Sequence, residues 1–282
     1  MRILVTGGAG FIGTNLIKRL LKEGHDITSI DNYSTGLKTN HQTGCNYLEK
    51  DIINYDFRCE YFDCVFHMAA IARIQPSFER PEDYINTNFS GTYNVLKYCL
   101  EHNVPLIYGG SSSHHAGRFS NPYTFSKDMG EDIIKLYQHH FNLRANIVRF
   151  YNVYGPYQLE EGGYTTLIGR WINNINNSII CEIYGDGEQR RDFTHVDDIV
   201  DALVKMLDNP KGSDYELGRG ENYSVNEVAK MFDIKPVYKP GKQGEAETTL
   251  CKCRLAKKIL EWEPTKNLSD YIKGETWRRW KR

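Results

Sequence analysis

The sequence predicts an α/β protein built on a doubly wound parallel sheet, and three observations carry that expectation. The run Thr6-Gly7-Gly8-Ala9-Gly10-Phe11-Ile12-Gly13 follows directly on the apolar stretch Ile3-Leu4-Val5. From Arg2 to about Tyr154, short β-rich runs alternate with helical stretches, the pattern of a sheet covered by helices on both faces. Past Gly155 the texture changes to loops and short elements, with Gly162-Gly163, the Asn173 to Asn177 cluster and Gly185-Asp186-Gly187 as turn signals, which suits a smaller second α/β region.

Taken in order, the expected strands are Ile3–Val5, His25–Ile30, Asn46–Leu48, Cys64–Met68, Leu106–Tyr108 and Ala145–Phe150. An amphipathic helix from Phe11 to Leu21 follows the glycine run and stops at Lys22-Glu23-Gly24. A second, Tyr84–His102, carries Tyr84, Asn88, Gly91, Val95 and Cys99 along one side, and Pro105 ends it. Asn121-Pro122 supplies a cap and a first-turn proline for a third. Later helices are expected at Asp197–Leu207, Val225–Phe232 and Arg254–Leu260. The resulting division is a nucleotide-binding domain over 1–155, joined by part of 194–210, and a substrate-binding domain over 156–282.

With 282 residues, 40% of them hydrophobic, the chain can bury a substantial core. A net charge of -1 offers no strong pull toward nucleic acid. No stretch of about twenty apolar residues is present to span a bilayer, and Met1-Arg2 runs straight into the first strand, so neither membrane nor signal peptide is expected. The cysteines (Cys45, Cys59, Cys64, Cys99, Cys181, Cys251, Cys253) are scattered and odd in number, which fits reduced thiols in a cytoplasmic enzyme. Cys251-x-Cys253 has no second Cys/His pair nearby, so no metal is expected.

The glycine run reads as strand, tight turn and helix start, with Gly7 and Gly10 letting backbone approach a pyrophosphate and Gly13 allowing close helix packing. The helix N-terminus then presents free N–H groups to the phosphates. Asp31 closes the second strand at the expected distance for a carboxylate that accepts from ribose hydroxyls, which favours NAD over NADP. Tyr123 and Lys127 lie one helical turn apart on one face, where an ammonium can depress a phenol or share a ribose with it. One hydroxyl of Ser111-Ser112-Ser113, at the carboxyl edge of a strand, can relay a proton or share a substrate hydrogen bond. His114 and His115 have no carboxylate or cysteine at ligand spacing in the sequence and read as loop residues, as do His67 and His195.

Together these residues resemble the extended short-chain dehydrogenase/reductase superfamily, and within it the NAD-dependent nucleotide-sugar epimerase/dehydratase group. The likeness runs over nearly the whole chain: the glycine loop, Asp31-Asn32 with Ser34-Thr35-Gly36, Asp51-Ile52, His67-Met68-Ala69-Ala70, Asn88, Tyr123 with Lys127, Arg149 to Pro156, and Arg191-Asp192-Phe193-Thr194. The resemblance implies a Rossmann-type nucleotide-binding domain and a homodimer formed through the helices around 84–102 and 122–142. It implies that Phe11, Ile12, Asn32, Thr35 and Gly36 belong to the cofactor site, and that Asp51 and Ile52 flank the adenine. Ala69, Ala70, Ala72, Asn88 and Tyr151 then touch the cofactor. Counting back from Gly117 points to Ser112 as the catalytic hydroxyl. Asn152, Thr166, Leu167, Tyr184 and Arg191 fall where the group holds a nucleoside diphosphate.

Relatives that eliminate water or decarboxylate carry an acid in the loop after the serines, whereas this chain has Ser113-His114. What remains is epimerisation, at C4 of a UDP-hexose. Tyr123 takes the C4 hydroxyl proton, hydride passes to and from NAD through a 4-keto intermediate, and Ser112 bridges the two. An epimerase acting at another carbon or on another nucleotide sugar, a dehydratase, and a non-catalytic NAD sensor are the alternatives. The group commonly has a late arginine where this chain has Glu247, so the diphosphate is expected to lean on Arg191, Lys239 or Lys242.

Overall fold

The computed structural model describes residues 1–209, 212–252 and 254–279. Strands β1 (Arg2–Thr6), β2 (Asp26–Asp31), β3 (Cys45–Glu49), β4 (Cys64–His67), β5 (Leu106–Ser111) and β6 (Ala145–Phe150) lie parallel in the order 3-2-1-4-5-6. The predicted strands all form, each within a few residues of its expected bounds. A seventh, Asp214–Leu217, adds in parallel outside β6. It is short and half polar, with Tyr215 and Leu217 inward, so its own sequence gave little sign of it. The free edge of β6 makes it a strand.

Alternation along the strands sorts side chains to the two faces. Ile3 and Val5 pack with Leu16, Ile17 and Leu20 of helix Phe11–Lys22, and with Val200 and Leu203 of helix Val196–Lys205. Leu4, Val65 and Ile147 face the other way, against Val95, Leu96 and Ile134. Each of these fully buried side chains contributes about 2 kcal/mol. A separate core beyond Tyr154 gathers Trp171, Ile172, Val228, Phe232 and Ile272. Helix Leu268–Arg279, absent from the sequence-based expectation, contributes Leu268 and Ile272 to it.

The helix expected over 84–102 is broken in register. Pro81–Ile85 and Thr92–Glu101 are α-helical, and a π turn, Asn86–Gly91, joins them. The wider turn, a feature that a 3.6-residue pattern does not reveal, carries Asn88 in the interior. Its amide donates to the Ile71 carbonyl (3.0 Å) and Ser126 Oγ (2.9 Å), and its Oδ1 accepts from Ile71 N (2.8 Å). Asn88 therefore fixes the chain after β4 against helix Pro122–Phe141. That helix starts as expected, with Asn121 Oδ1 accepting from Thr124 N at 2.8 Å, and ends on Asn142 in a left-handed conformation.

Cys45, Cys64, Cys99 and Cys181 are free, while Cys253 lies outside the described residues. Among the described residues no helix is long and apolar enough to cross a membrane.

Candidate active site

The carboxyl ends of β1, β2, β4, β5 and β6 open on a cavity of about 1010 Å³, at the point where strand order reverses. At one end is the glycine loop. Gly7 has φ +71, and a Cβ there would lie 2.7 Å from the Ala69 backbone. At Gly13 a Cβ would come within 2.2 Å of the Gly7 carbonyl. Only bare backbone lets the loop turn this tightly and bring the start of helix Phe11–Lys22 to the cavity.

Asp31, at the end of β2, accepts from Ala9 N (2.9 Å) and Tyr33 N (2.8 Å). Burial pushes its carboxyl up and these two N–H groups pull it down. Lys38, the first cation beyond Asp31, is committed to Glu49 at 2.6 Å. Backbone donors at the glycine loop and a carboxylate at the end of β2 fit NAD.

Asn32, Thr35, Ile52, Ala69, Ala70 and Ala72 face the cavity with the loop residues Gly10, Phe11 and Ile12. Three expected cofactor residues stand outside that lining. Gly36 lies behind Asp31, where a Cβ would sit 2.9 Å from either carboxylate oxygen. Asp51 holds Asn32 Nδ2 at 2.9 Å and opens on a smaller neighbouring hollow. Asn88 supports the wall from within.

Tyr123 and Lys127 both line the cavity, and the positive charge that draws the phenol down is that of Arg73. Burial raises the Tyr123 pKa, and the Ser111 side chain and Arg73 oppose it. Lys127 Nζ instead donates to the Gly109 carbonyl at 2.7 Å and sits 4.2 Å from the Tyr108 ring centroid. Burial lowers its pKa to about 7, with Glu131 acting in the other direction.

The serine side chain that lowers the Tyr123 pKa is that of Ser111, whereas the family resemblance pointed to Ser112. β5 runs through Ser111, whereas the predicted strand ended at Tyr108, and Ser112 begins the turn Ser112–Ala116. Ser111 Oγ is also 2.9 Å from Ser113 Oγ. Ser112 lines the cavity beside them.

The histidine loop also differs from its linear reading, because the fold brings carboxylates to it. His114 Nδ1 is 2.8 Å from Asp128 Oδ1, and the neighbouring Glu131 is clamped by the buried guanidinium of Arg149. His115 Nε2 is 2.6 Å from Glu216, whose other oxygen accepts from Tyr151 OH at 2.9 Å. Asp128, Glu131 and Glu216 lie behind the loop, while His115 and Tyr151 face the cavity. His67 is buried between Thr6 and Thr92 with its pKa lowered to about 3, and is a neutral part of the core. His195 caps helix Val196–Lys205 by accepting from Asp197 N.

At the far end, Asn152 Nδ2 donates to the Asp192 carbonyl (3.0 Å) and Thr249 Oγ1 (2.9 Å). Thr166 caps helix Leu167–Asn176, with Leu167 next to it. Arg191 donates to the Glu247 carbonyl (3.3 Å) and pairs with Glu245 at 3.5 Å, and burial lowers its pKa. Tyr184 lies under Lys242, whose Nζ is 3.6 Å from the ring centroid. Lys242 lines the cavity, whereas Lys239 pairs with Glu182 at 3.7 Å outside that lining. Arg73 and Arg170 also face this space, and the sequence reading named neither.

A family model described as "NAD dependent epimerase/dehydratase family" matches residues 3–218. The chain belongs to the NAD dependent epimerase/dehydratase family. A putative UDP-glucose 4-epimerase of Methanocaldococcus jannaschii is 30% identical over 298 aligned residues, covering 96% of each protein. A UDP-glucuronate 4-epimerase of Thermodesulfobacterium geofontis is 30% identical, with 96% of this chain and 93% of the relative covered. Decarboxylases of UDP-linked uronic acids resemble the chain too. Among solved structures, the UDP-glucose 4-epimerase of Thermotoga maritima with UDP-glucose superposes with a TM-score of 0.92 over all of both chains, at 27% identity. This member of the family thus keeps the fold along its full length.

Proposed function

We propose that the protein is an NAD-dependent epimerase that inverts C4 of a UDP-linked hexose. The observation that carries this reading is one continuous cavity with the glycine loop and Asp31 at one end, Arg191 at the other, and Tyr123 with Ser111 and Lys127 between them. Relatives named as 4-epimerases support it. NAD, when bound, supplies a reversible two-electron acceptor, so that a sugar alcohol can become a ketone and be restored.

The chain's own residues do the rest. Tyr123, as phenolate, takes the C4 hydroxyl proton and returns it. Ser111 shares the hydrogen bond to that oxygen, with Ser112 and Ser113 beside it, and Lys127 stands one turn below the phenol. The sugar must turn while its nucleotide stays fixed, so Asn152, Thr166, Leu167, Tyr184 and Arg191 anchor the nucleoside diphosphate, with Lys242 in place of the late arginine. Asp31, Asn32, Thr35, Ile52 and the alanines after β4 hold the cofactor, with Gly36, Asp51 and Asn88 supporting them. Water elimination calls for an acid at the leaving hydroxyl. Among the described residues, the carboxylates of the cavity lining are Asp31, Glu79, Glu182 and Glu245, and none comes from the serine loop.

Incubation with UDP-glucose, or separately with UDP-galactose, tests the reading. Without added NAD, both are expected to approach one mixture; accumulation of a dehydrated 4-keto sugar, or no interconversion even with NAD supplied, overturns it.

The division into a nucleotide domain over 1–155 and a substrate domain over 156–282 belongs to the same proposal, as does a homodimer. Exposed Tyr93, Leu136 and Phe141 lie on the two helical segments expected to pair. Sedimentation as a monomer at micromolar concentration would count against the dimer. Buried free thiols at Cys64 and Cys99 suit a reducing cytoplasm.

A further inference from the structure

The wall between the nucleotide end and Tyr123 carries more positive charge than a diphosphate calls for. Arg191 pairs with Glu245, whose charge also reaches Lys242. Arg170 lies near enough to depress both Lys242 and Arg73, and Arg73 in turn acts on Tyr123. Among the described residues only Arg191 of these cations has a carboxylate within ion-pair distance. A diphosphate can answer Arg191 and Lys242 at one end, which leaves Arg170 and Arg73, and of these Arg73 acts on the phenol.

Arg73 is placed there at a cost. Its φ is +89, a strained conformation that L residues rarely adopt. Tyr84 braces the turn, with its hydroxyl 3.0 Å from the carbonyls of both Ala72 and Arg73, and its ring meets Tyr123 edge-on. Arg73 Nε donates to the Tyr164 carbonyl at 2.9 Å, which orients the guanidinium. Among the described residues it has no carboxylate within ion-pair distance, though the charge of Glu245 reaches it, and a desolvated guanidinium favours a bidentate anion.

We propose that the sugar carries a carboxylate on a position adjoining C4, and that Arg73 receives it. This rests on the C4 reading above. The diphosphate leaves from C1, across the ring from C4, so an anion beside Tyr123 hangs from C5, as a C6 uronate, or from C3, as a carboxyalkyl ether.

The test compares binding, by calorimetry in the Tyr123→Phe background so that nothing turns over. UDP-glucuronate is set against UDP-glucose, and UDP-N-acetylmuramate against UDP-N-acetylglucosamine. One carboxylated ligand is expected to bind about tenfold tighter than its neutral counterpart, the scale of a charge-assisted hydrogen bond. A preference in the first pair assigns the C6 source and in the second the C3 source. Arg73→Gly removes the guanidinium and accepts the positive φ, which keeps the fold, and should bring the preferred ratio close to one; Arg73→Lys should restore part of it. Equal or tighter binding of both neutral sugars, or a preference unmoved by Arg73→Gly, overturns the proposal. Failure of the wild-type protein to interconvert C4 epimers would instead overturn the reading of the reaction and leave this binding comparison intact.

Discussion

The two ends of the cavity are built from different materials. The cofactor end is backbone and small residues within one short stretch: Gly7 to Gly13, then Asp31 held by Ala9 N and Tyr33 N. The substrate end is long cationic side chains from distant segments, Arg73, Arg170, Arg191 and Lys242. Backbone fixes a constant ligand with little freedom to drift, because its donors are set by the turn itself. Side chains can be exchanged without disturbing the sheet, so this is where one family member can come to differ from another in substrate. Tyr123 stands between, with Ser111 and Arg73 drawing its pKa down against its burial.

That contrast can be broken most directly at the junction. Tyr123→Phe should cut turnover by about 10²–10⁴-fold, the usual weight of a positioned acid–base group, while nucleotide-sugar binding measured by calorimetry stays. Loss of binding with unchanged turnover per bound complex would show that the phenol belongs to the anchoring end. Gly13→Ala places a methyl group against the Gly7 carbonyl at 2.2 Å and should lower stability by about 1–3 kcal/mol, with NAD content, read from the absorbance of the purified protein, falling alongside it.

Ser111→Ala should slow turnover about tenfold, the free-energy scale of one lost hydrogen bond, and Ser112→Ala by much less. The pH profile sharpens this further. Ser111 draws the Tyr123 pKa down, so its removal raises that pKa, and the limb on which activity rises with pH moves toward alkali. An equal response from both variants would restore Ser112 to the role expected from the sequence.

Lys127 makes stability itself depend on pH. Its folded pKa, about 7, lies below the ordinary value of 10.5, so between these limits the unfolded chain binds more protons than the folded one. Stability therefore rises with pH across that window, and below about pH 7 the full penalty of a buried ammonium is present. Thermal melts of the wild type should show this rise, and Lys127→Met should flatten it. A parallel slope in the variant would mean that Lys127 stays charged in the folded protein.

The sequence by itself determined the sheet, the cofactor loop and the Tyr123/Lys127 pair, because each is written in local spacing: apolar alternation, a glycine turn, one helical turn. Asp31 was legible for the same reason, since its distance from the glycine loop follows from strand and helix lengths. Contacts between residues far apart in the chain were not. Which serine closes the strand depends on where β5 ends, and the inward turn of Asn88 on a π turn that amphipathic periodicity does not mark. Carboxylates reach His114 and His115 from positions 128 and 216, and Arg73 draws its place from a turn braced by Tyr84. Local sequence sets backbone geometry over a few residues; tertiary packing alone decides which charges share a low-dielectric cavity, and so what the cavity selects.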